Sequence, residues 1–441
     1  VRSLAGAALL ACALAGCSGG GGTSAQPIVN QQQPPSQGVG TGATPTPSPA
    51  PTASPAPTAT PQPTATPVPG LSAPPANASL HVPAGFIVSK IASVSGAREL
   101  AALPNGDLIV GGNGTTVAIV PNAESAGAAG TPAAFANIND APVHGVAYGG
   151  GFVFVAAQHG VYRIPYASGA QSGTPQKIAS VRAQVTGGHV TSSVAVSGST
   201  LYVGVGSSCN ACVETDPTRA TVQRMATDGS GMTAQAKRWR NPIGVATDPT
   251  TGTVWAGGAG QDDLPQGHPY EYLDPVSSST APADYGWPDC EENHVAYTAG
   301  ANCANTIVPA VVFPAYGTII GFAFYPASQT GPYTFPAAWR GGMFVGLHGS
   351  WHVVNNVPVA PPHVAFVPFS GASPARAVNW SDPTTQWNDF FTGFQNGASR
   401  VGRPTGVAVG AQGSLFVADD DAGAIYRIRP AGTATSSVRR R

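Results

Sequence analysis

The sequence predicts a six-bladed β-propeller, and three observations predict it. First, one short pattern recurs: a glycine or small polar residue, an apolar residue, alanine, and usually a further apolar residue. Its six copies centre on Ala101, Ala147, Ala195, Ala246, Ala323 and Ala408. Second, each copy is followed by a turn and a second β-rich segment bounded by Gly, Asn or Asp. Third, helical periodicity is nearly absent. Self-similarity at this period means a propeller or solenoid, and six copies of four strands close a six-bladed ring.

Taken in order, the inner strands are "RELAAL", "HGVAYG", "SSVAVS", "IGVATD", "IGFAFY" and "TGVAVG". Their second strands are "GDLIVGG", "GGFVFVAA", "STLYVGVG", "GTVWAGG", "GGMFVGLHG" and "GSLFVADD". "HGVYRIPY" and "GAIYRIRP" continue into third strands. The first four alanines are evenly spaced. The longer intervals, from Ala246 to Ala323 and from Ala323 to Ala408, place insertions in blades 4 and 5. The last copy lacks a fourth strand, and "GFIVSKIAS" ahead of the first copy supplies it, closing the ring with a strand from each end of the repeat region.

In a propeller, the start of every inner strand and the end of every second strand share one face. That rule gathers Arg98 and Glu99, His144, Thr191 and Ser192, Arg240 and Asn241, and Arg403 at a single axial mouth. The end of "GGFVFVAAQH" at His159 and the loops "GSSCNAC", "GGAGQDD", "HGSW" and "DDDAG" join them. The pair His348 and Ser350 in "HGSW" raises the possibility of a hydrolase. No G-x-S-x-G elbow is present, and no strand-to-helix turn that would strain a nucleophile. His348 as a hydrogen-bond donor and Trp351 as an apolar platform, both in the pocket wall, are the expectation.

The remaining segments are read from composition. "VRSLAGAALLACALAGC" has a basic start, an apolar run and small residues, which is the pattern of a secretory signal over 1–17. Its end, "LAGC", resembles a bacterial lipobox and implies lipid attachment at Cys17. Residues 18–78 are rich in Pro, Thr, Ser, Gly and Ala and form an extended spacer that cannot bury a core. The propeller is expected over 79–431, with a basic tail at 432–441. An extracytoplasmic protein, tethered to a bacterial membrane by lipid alone, follows from this layout. Charged residues make up only 9% of the chain, against a usual quarter, and lysine occurs only at Lys90, Lys177 and Lys237. Without a basic stripe, a nucleic-acid partner is not expected. A surface of Ser, Thr, Asn and Gln suits an acidic or otherwise harsh setting. Beyond Cys12 and Cys17, four cysteines remain. In an oxidising compartment, pairing of Cys209 with Cys212 and Cys290 with Cys303 is the simplest assignment, and a four-thiolate zinc site the alternative.

The blocks "RNPIGVATDPTTGTVW", "DLP", "YGWPDC", "GLHGSW", "VAFVPF" and "GRPTGVAVGAQGSLFVADDDAGAIYRI" together resemble the glucose/sorbosone dehydrogenase family. "PVHGVAYGGGFVFVA" and "GGHVTSSVAVSGSTLYVGVGSSCNACVETDP" extend the likeness from about Leu80 to Pro430. The resemblance implies a six-bladed quinoprotein that uses pyrroloquinoline quinone (PQQ) with calcium to oxidise an aldose or related hydroxy-aldehyde. Electrons would pass to an external acceptor, since no "CxxCH" haem motif occurs. It implies that His144 is the general base, a role suited to an imidazole. It also implies that Arg240, Asn241 and Arg403 contact the cofactor and that carbonyls of Gly258 and Ala259 bind the metal; Arg98, as a compensating cation, and the pocket-wall residues His348 and Trp351 are the further expected cofactor contacts. Serine stands at Ser192 and Ser193, where relatives commonly carry an arginine, "HGSWH" replaces "HGSWN", and Glu99 adds a negative charge. These departures leave open a second reading, a non-catalytic sugar- or ligand-binding propeller. A calcium-dependent lactonase-type propeller would need more converging carboxylates.

Overall fold

The structure is a computed structural model that describes residues 79–432 apart from 185–186, 265–266 and 355–356. The signal, the lipid-bearing Cys17, the spacer and most of the basic tail lie outside the described residues.

Alternation of apolar and polar residues over runs of about five residues, punctuated by turn residues, produces short antiparallel strands. They assemble into six sheets of four principal strands. The inner strands are Ala97–Ala102, Gly145–Gly149, Ser192–Ser197, Asn241–Thr247, Ile319–Tyr325 and Pro404–Val409. Each touches the inner strand of the next blade, and the last touches the first, so the ring is closed. The second strands are Leu108–Gly112, Phe152–Ala156, Thr200–Val205, Val254–Ala259, Gly342–Leu347 and Leu415–Asp419. Phe86–Ser93 pairs antiparallel with Ala424–Pro430 and completes the sixth blade from the N-terminal side, as the sequence predicts.

Blade faces are apolar and pack against one another. Between blades 5 and 6, Phe86 meets Phe335 edge-on at 4.7 Å and Phe390 at 5.2 Å. Between blades 3 and 4, Trp239 lies over Tyr272 at 4.6 Å. Near the axis six strands crowd together, and the packing there demands small residues. A methyl group on Gly111 of blade 1 would collide with the carbonyl of His144, ahead of the next inner strand. Gly346 stands in the same relation to Thr405. The close backbone approach therefore fixes where the mouth residues begin.

The insertions fall in blades 4 and 5. In blade 4, the chain between Glu271–Asp274 and Val311–Phe313 carries the Cys290–Cys303 disulfide, and Ala283–Asp284 crosses to pair in parallel with the outer strand of blade 3. In blade 5, a hairpin at Val353–Val354 and Val357–Pro358 rises after the second strand. One expectation is refined here. Gly257, Gly258 and Ala259 end a strand, and the loop begins at Gly260.

Candidate active site

His144, Arg240 and Arg403 each stand immediately before or at the start of an inner strand, so blade geometry brings them to one face of the ring. Side-chain contacts bind this face together across blades. Asp420, just after the second strand of blade 6, accepts from Arg98 Nη1 at 2.5 Å and meets His348 Nε2 at 2.8 Å. Arg403 donates from Nε to the His348 carbonyl at 2.9 Å and from Nη2 to the Gly349 carbonyl at 2.7 Å. Arg98, His348, Arg403 and Asp420 therefore form one cluster between blades 1, 5 and 6. His144 is buried beside it, with Nε2 2.7 Å from Asn113 Oδ1 and Nδ1 without a partner.

Arg240 lies across the mouth. Its Nη2 pairs with Asp262 Oδ2 at 2.6 Å, and its Nε donates to the Asn210 carbonyl at 3.2 Å. Asn210 sits inside the Cys209–Cys212 disulfide loop and grips Asp262 twice, accepting from its N–H and donating to its carbonyl. Asn241, opposite Ala259 in the ladder, keeps a buried Oδ1 with no partner. Both disulfides formed as expected.

Electrostatics follow from this enclosure. Burial, reinforced by the charge of Arg98 and partly offset by Asp420, lowers His144 to about 3, so its imidazole is neutral at pH 7. Burial likewise lowers His348 to about 4 against the stabilising bond to Asp420. For Asp420, burial acts upward, but the bond from His348 and the charges of His348 and Arg98 hold it at about 2. Glu99, on the inner strand of blade 1, is raised to about 8 by burial, against the pull of Arg98 and a bond from Ser193. It faces a channel of about 380 Å³ lined by the inner strands and opening on the opposite face. Glu99 is therefore largely uncharged at neutral pH and adds less negative charge than its identity suggests.

Several residues of the site carry no local sequence signal. Arg182 is buried, its Nη1 donating to Ser192 Oγ and to the Gln158 carbonyl at 2.9 Å, and its Nη2 to the Thr191 carbonyl at 2.6 Å. A cation thus stands next to Ser192, where the chain was expected to lack one, but it arrives from ten residues upstream. Asn113, Asp262 and Asp420 were also missed; "DDDAG" and "GGAGQDD" marked the latter two only as parts of loops. Trp351 is 65% exposed and stands on the rim, its ring tilted against His352 with centroids 3.8 Å apart. His348 and Ser350 do not meet: Ser350 Oγ donates to the His352 carbonyl, which leaves no nucleophile–base pair.

A family model described as TrAA12-like matches residues 291–431. An uncharacterised protein of Borreliella burgdorferi is 23% identical over 194 residues, a stretch that spans 46% of that relative and 43% of this chain. Among solved structures, the PQQ domain of pyranose dehydrogenase from Coprinopsis cinerea, in its holo form, superposes with a TM-score of 0.66 at 19% identity, covering 82% of this chain and 99% of that one. A calcium structure of a carbohydrate-active enzyme of family AA12 from Trichoderma reesei gives 0.67 at 19% identity, over 81% and 98%. The PQQ-bound aldose sugar dehydrogenase of Streptomyces coelicolor gives 0.55 at 18% identity, over 79% and 99%. The chain therefore has the six-bladed propeller fold found in structures of PQQ-dependent sugar dehydrogenases.

Proposed function

We propose that the protein is a quinoprotein dehydrogenase that oxidises an aldose or related hydroxy-aldehyde at the propeller mouth and passes the electrons to an external acceptor. The observation that carries this reading is the convergence of Arg98, Arg240, Arg403 and a neutral, unpartnered His144 Nδ1 on one face. The residues fit the cofactor. PQQ is a planar tri-anion, and the mouth holds several guanidiniums, one of which (Arg98) keeps a buried, unpaired Nε. An oxygen-seeking calcium ion would take the carbonyls of Gly258 and Ala259, at the end of the strand that pairs with Asn241. When bound, the quinone supplies a hydride acceptor and calcium polarises its carbonyl.

The chain's own residues do the rest. Asn113 holds the His144 ring by Nε2, leaving Nδ1 to receive the proton of the sugar's anomeric hydroxyl as the C1 hydride departs. Asp420 and the carbonyls of His348 and Gly349 hold Arg98 and Arg403 in place, so little ordering is required on binding. Trp351 offers an apolar face at the rim.

The experiment adds PQQ and calcium to the full chain, following the quinone absorbance and then dye reduction with an aldose panel. Turnover that falls about 10²- to 10⁴-fold in His144→Ala, with quinone binding retained, supports the reading. One observation favours the second reading, a non-catalytic sugar binder: Arg98 and Arg240 are each already paired with a carboxylate. Sugar binding with no quinone spectrum would select it. We further propose an extracytoplasmic, lipid-anchored location, supported by the lipobox-like "LAGC" and the two disulfides. Loss of palmitate labelling in Cys17→Ser is the expected outcome.

A further inference from the structure

The axial channel of about 380 Å³ opens on the face opposite the mouth. Its volume falls within the ~300–1,000 Å³ typical of small-molecule sites. Each inner strand is the edge strand of its sheet, so six free edges, with their N–H and C=O groups, surround the axis. The side chains between them are mostly small or apolar, among them Ala147, Ala195, Ala246 and Phe322. Glu99 is the one charged residue in this lining among the described residues.

Three blades bring the Glu99 carboxyl to the axis. In blade 1, the strand register slips between Ala97 and Leu100, and this irregularity turns Glu99 inward. In blade 3, Ser193 Oγ lies 3.3 Å from Glu99 Oε1. In blade 5, Gly321 leaves room for the second oxygen: a methyl group there would stand 2.6 Å from Glu99 Oε2. Blades 1, 3 and 5 alternate around a ring of six, so contact with all three puts the carboxyl near the centre, at the inner end of the channel. There it is short of donors. Ser193 has a single hydroxyl proton, and the Ile243 carbonyl also takes it. Arg98, the cation whose charge reaches Glu99, is bonded to Asp420. An ionised carboxylate with so little support is unfavourable away from water, and a cation that entered the channel would relieve it.

We propose that the axial channel binds a short primary amine as its ammonium ion, with the nitrogen against Glu99 and the alkyl chain lying along the apolar wall towards the opposite face. An ammonium group carries three N–H donors, which suit Glu99 Oε2 and the carbonyls of the free strand edges. A free amine entering the channel takes the carboxyl proton onto its nitrogen; an ammonium ion sends that proton to solvent. Either route ends in an ammonium–carboxylate pair. A calcium ion would want more oxygen ligands of formal charge than one carboxylate supplies.

Calorimetric titration of the full chain, without quinone, would use methyl- to hexylammonium chloride. Affinity is expected to rise about fourfold with each added methylene until the channel is filled. Glu99→Gln should lower butylammonium affinity about tenfold or more. Ala147→Leu keeps the carboxyl and narrows the channel, so it should remove the gain with chain length and keep methylammonium binding. No binding of any amine, affinity independent of chain length, or affinity unchanged in Glu99→Gln would overturn the proposal. So would displacement of butylammonium by equimolar sodium or potassium, which would make this a site for charge alone. Neither the mouth nor the quinone enters the test, so its failure leaves the dehydrogenase reading standing, and a failure of dye reduction leaves this site standing.

Discussion

His144 shows how far a residue's chemistry depends on what surrounds it. At about 3, its imidazole is ready to accept a proton but is a weak base. A tri-anion beside it would favour the imidazolium, so adding PQQ should move its titration upward by at least one unit, read by proton NMR of the ring. An unmoved titration would place the quinone elsewhere. Glu99 gives a second prediction, on stability. Its folded value of about 8 exceeds the ordinary 4.5, so the folded state holds the extra proton between these pH values, and stability falls as pH rises through that window. His144 and His348 act in the opposite direction, with stability lost as pH falls from about 6.5 towards 3 to 4. The two trends together put an optimum in the mildly acidic range. Glu271 and Glu291, also raised to about 8 by burial, act in the same direction, so Glu99→Gln should lessen, without abolishing, the slope of the alkaline limb of a urea-unfolding profile taken from pH 5 to 9. The identity of Glu99 was legible in the sequence; its protonation was not, because burial, contributed by distant strands, sets it.

At the scale of elements, the two disulfides do different work. Cys290 and Cys303 are 13 residues apart and close an insertion, so Cys290→Ser with Cys303→Ser should lower stability by about 3 kcal/mol, measured by urea unfolding. Cys209 and Cys212 are only 3 apart and close a small loop. That loop carries Asn210, which holds Asp262 and Arg240 at the mouth. Cys209→Ser with Cys212→Ser should lower stability less, by about 2 kcal/mol, and weaken PQQ binding about tenfold; a loss of stability alone would assign the loop a purely structural role. The cysteine pairing could be read from compartment and parity. The purpose of the shorter bridge could not, since Asp262 lies about 50 residues downstream and meets Asn210 only through blade packing.

For the whole molecule, the ring is closed by pairing a strand from the N-terminal side with the last blade. Phe86, on the strand that completes blade 6, packs edge-on against Phe335 and Phe390 of blade 5. Phe86→Ala should cost about 3–5 kcal/mol, seen as a lower urea midpoint, and an unchanged midpoint would deny that strand its closing role. Arg429 adds a second clasp: it donates to Ser414 Oγ at 2.7 Å in its own blade and to the Glu124 carbonyl at 2.7 Å in blade 1, over the face of Tyr333. The sequence by itself determined the blade count, the strand that closes the ring, the blades with insertions, and which end of each inner strand faces the mouth. These follow from local periodicity and turn residues, which neighbouring residues decide among themselves. Only the tertiary structure decided that Arg182 stands beside Ser192 and that Asp420 joins Arg98 to His348. Those contacts join residues from different blades, and no spacing along the chain encodes which side chains meet once six sheets pack around one axis.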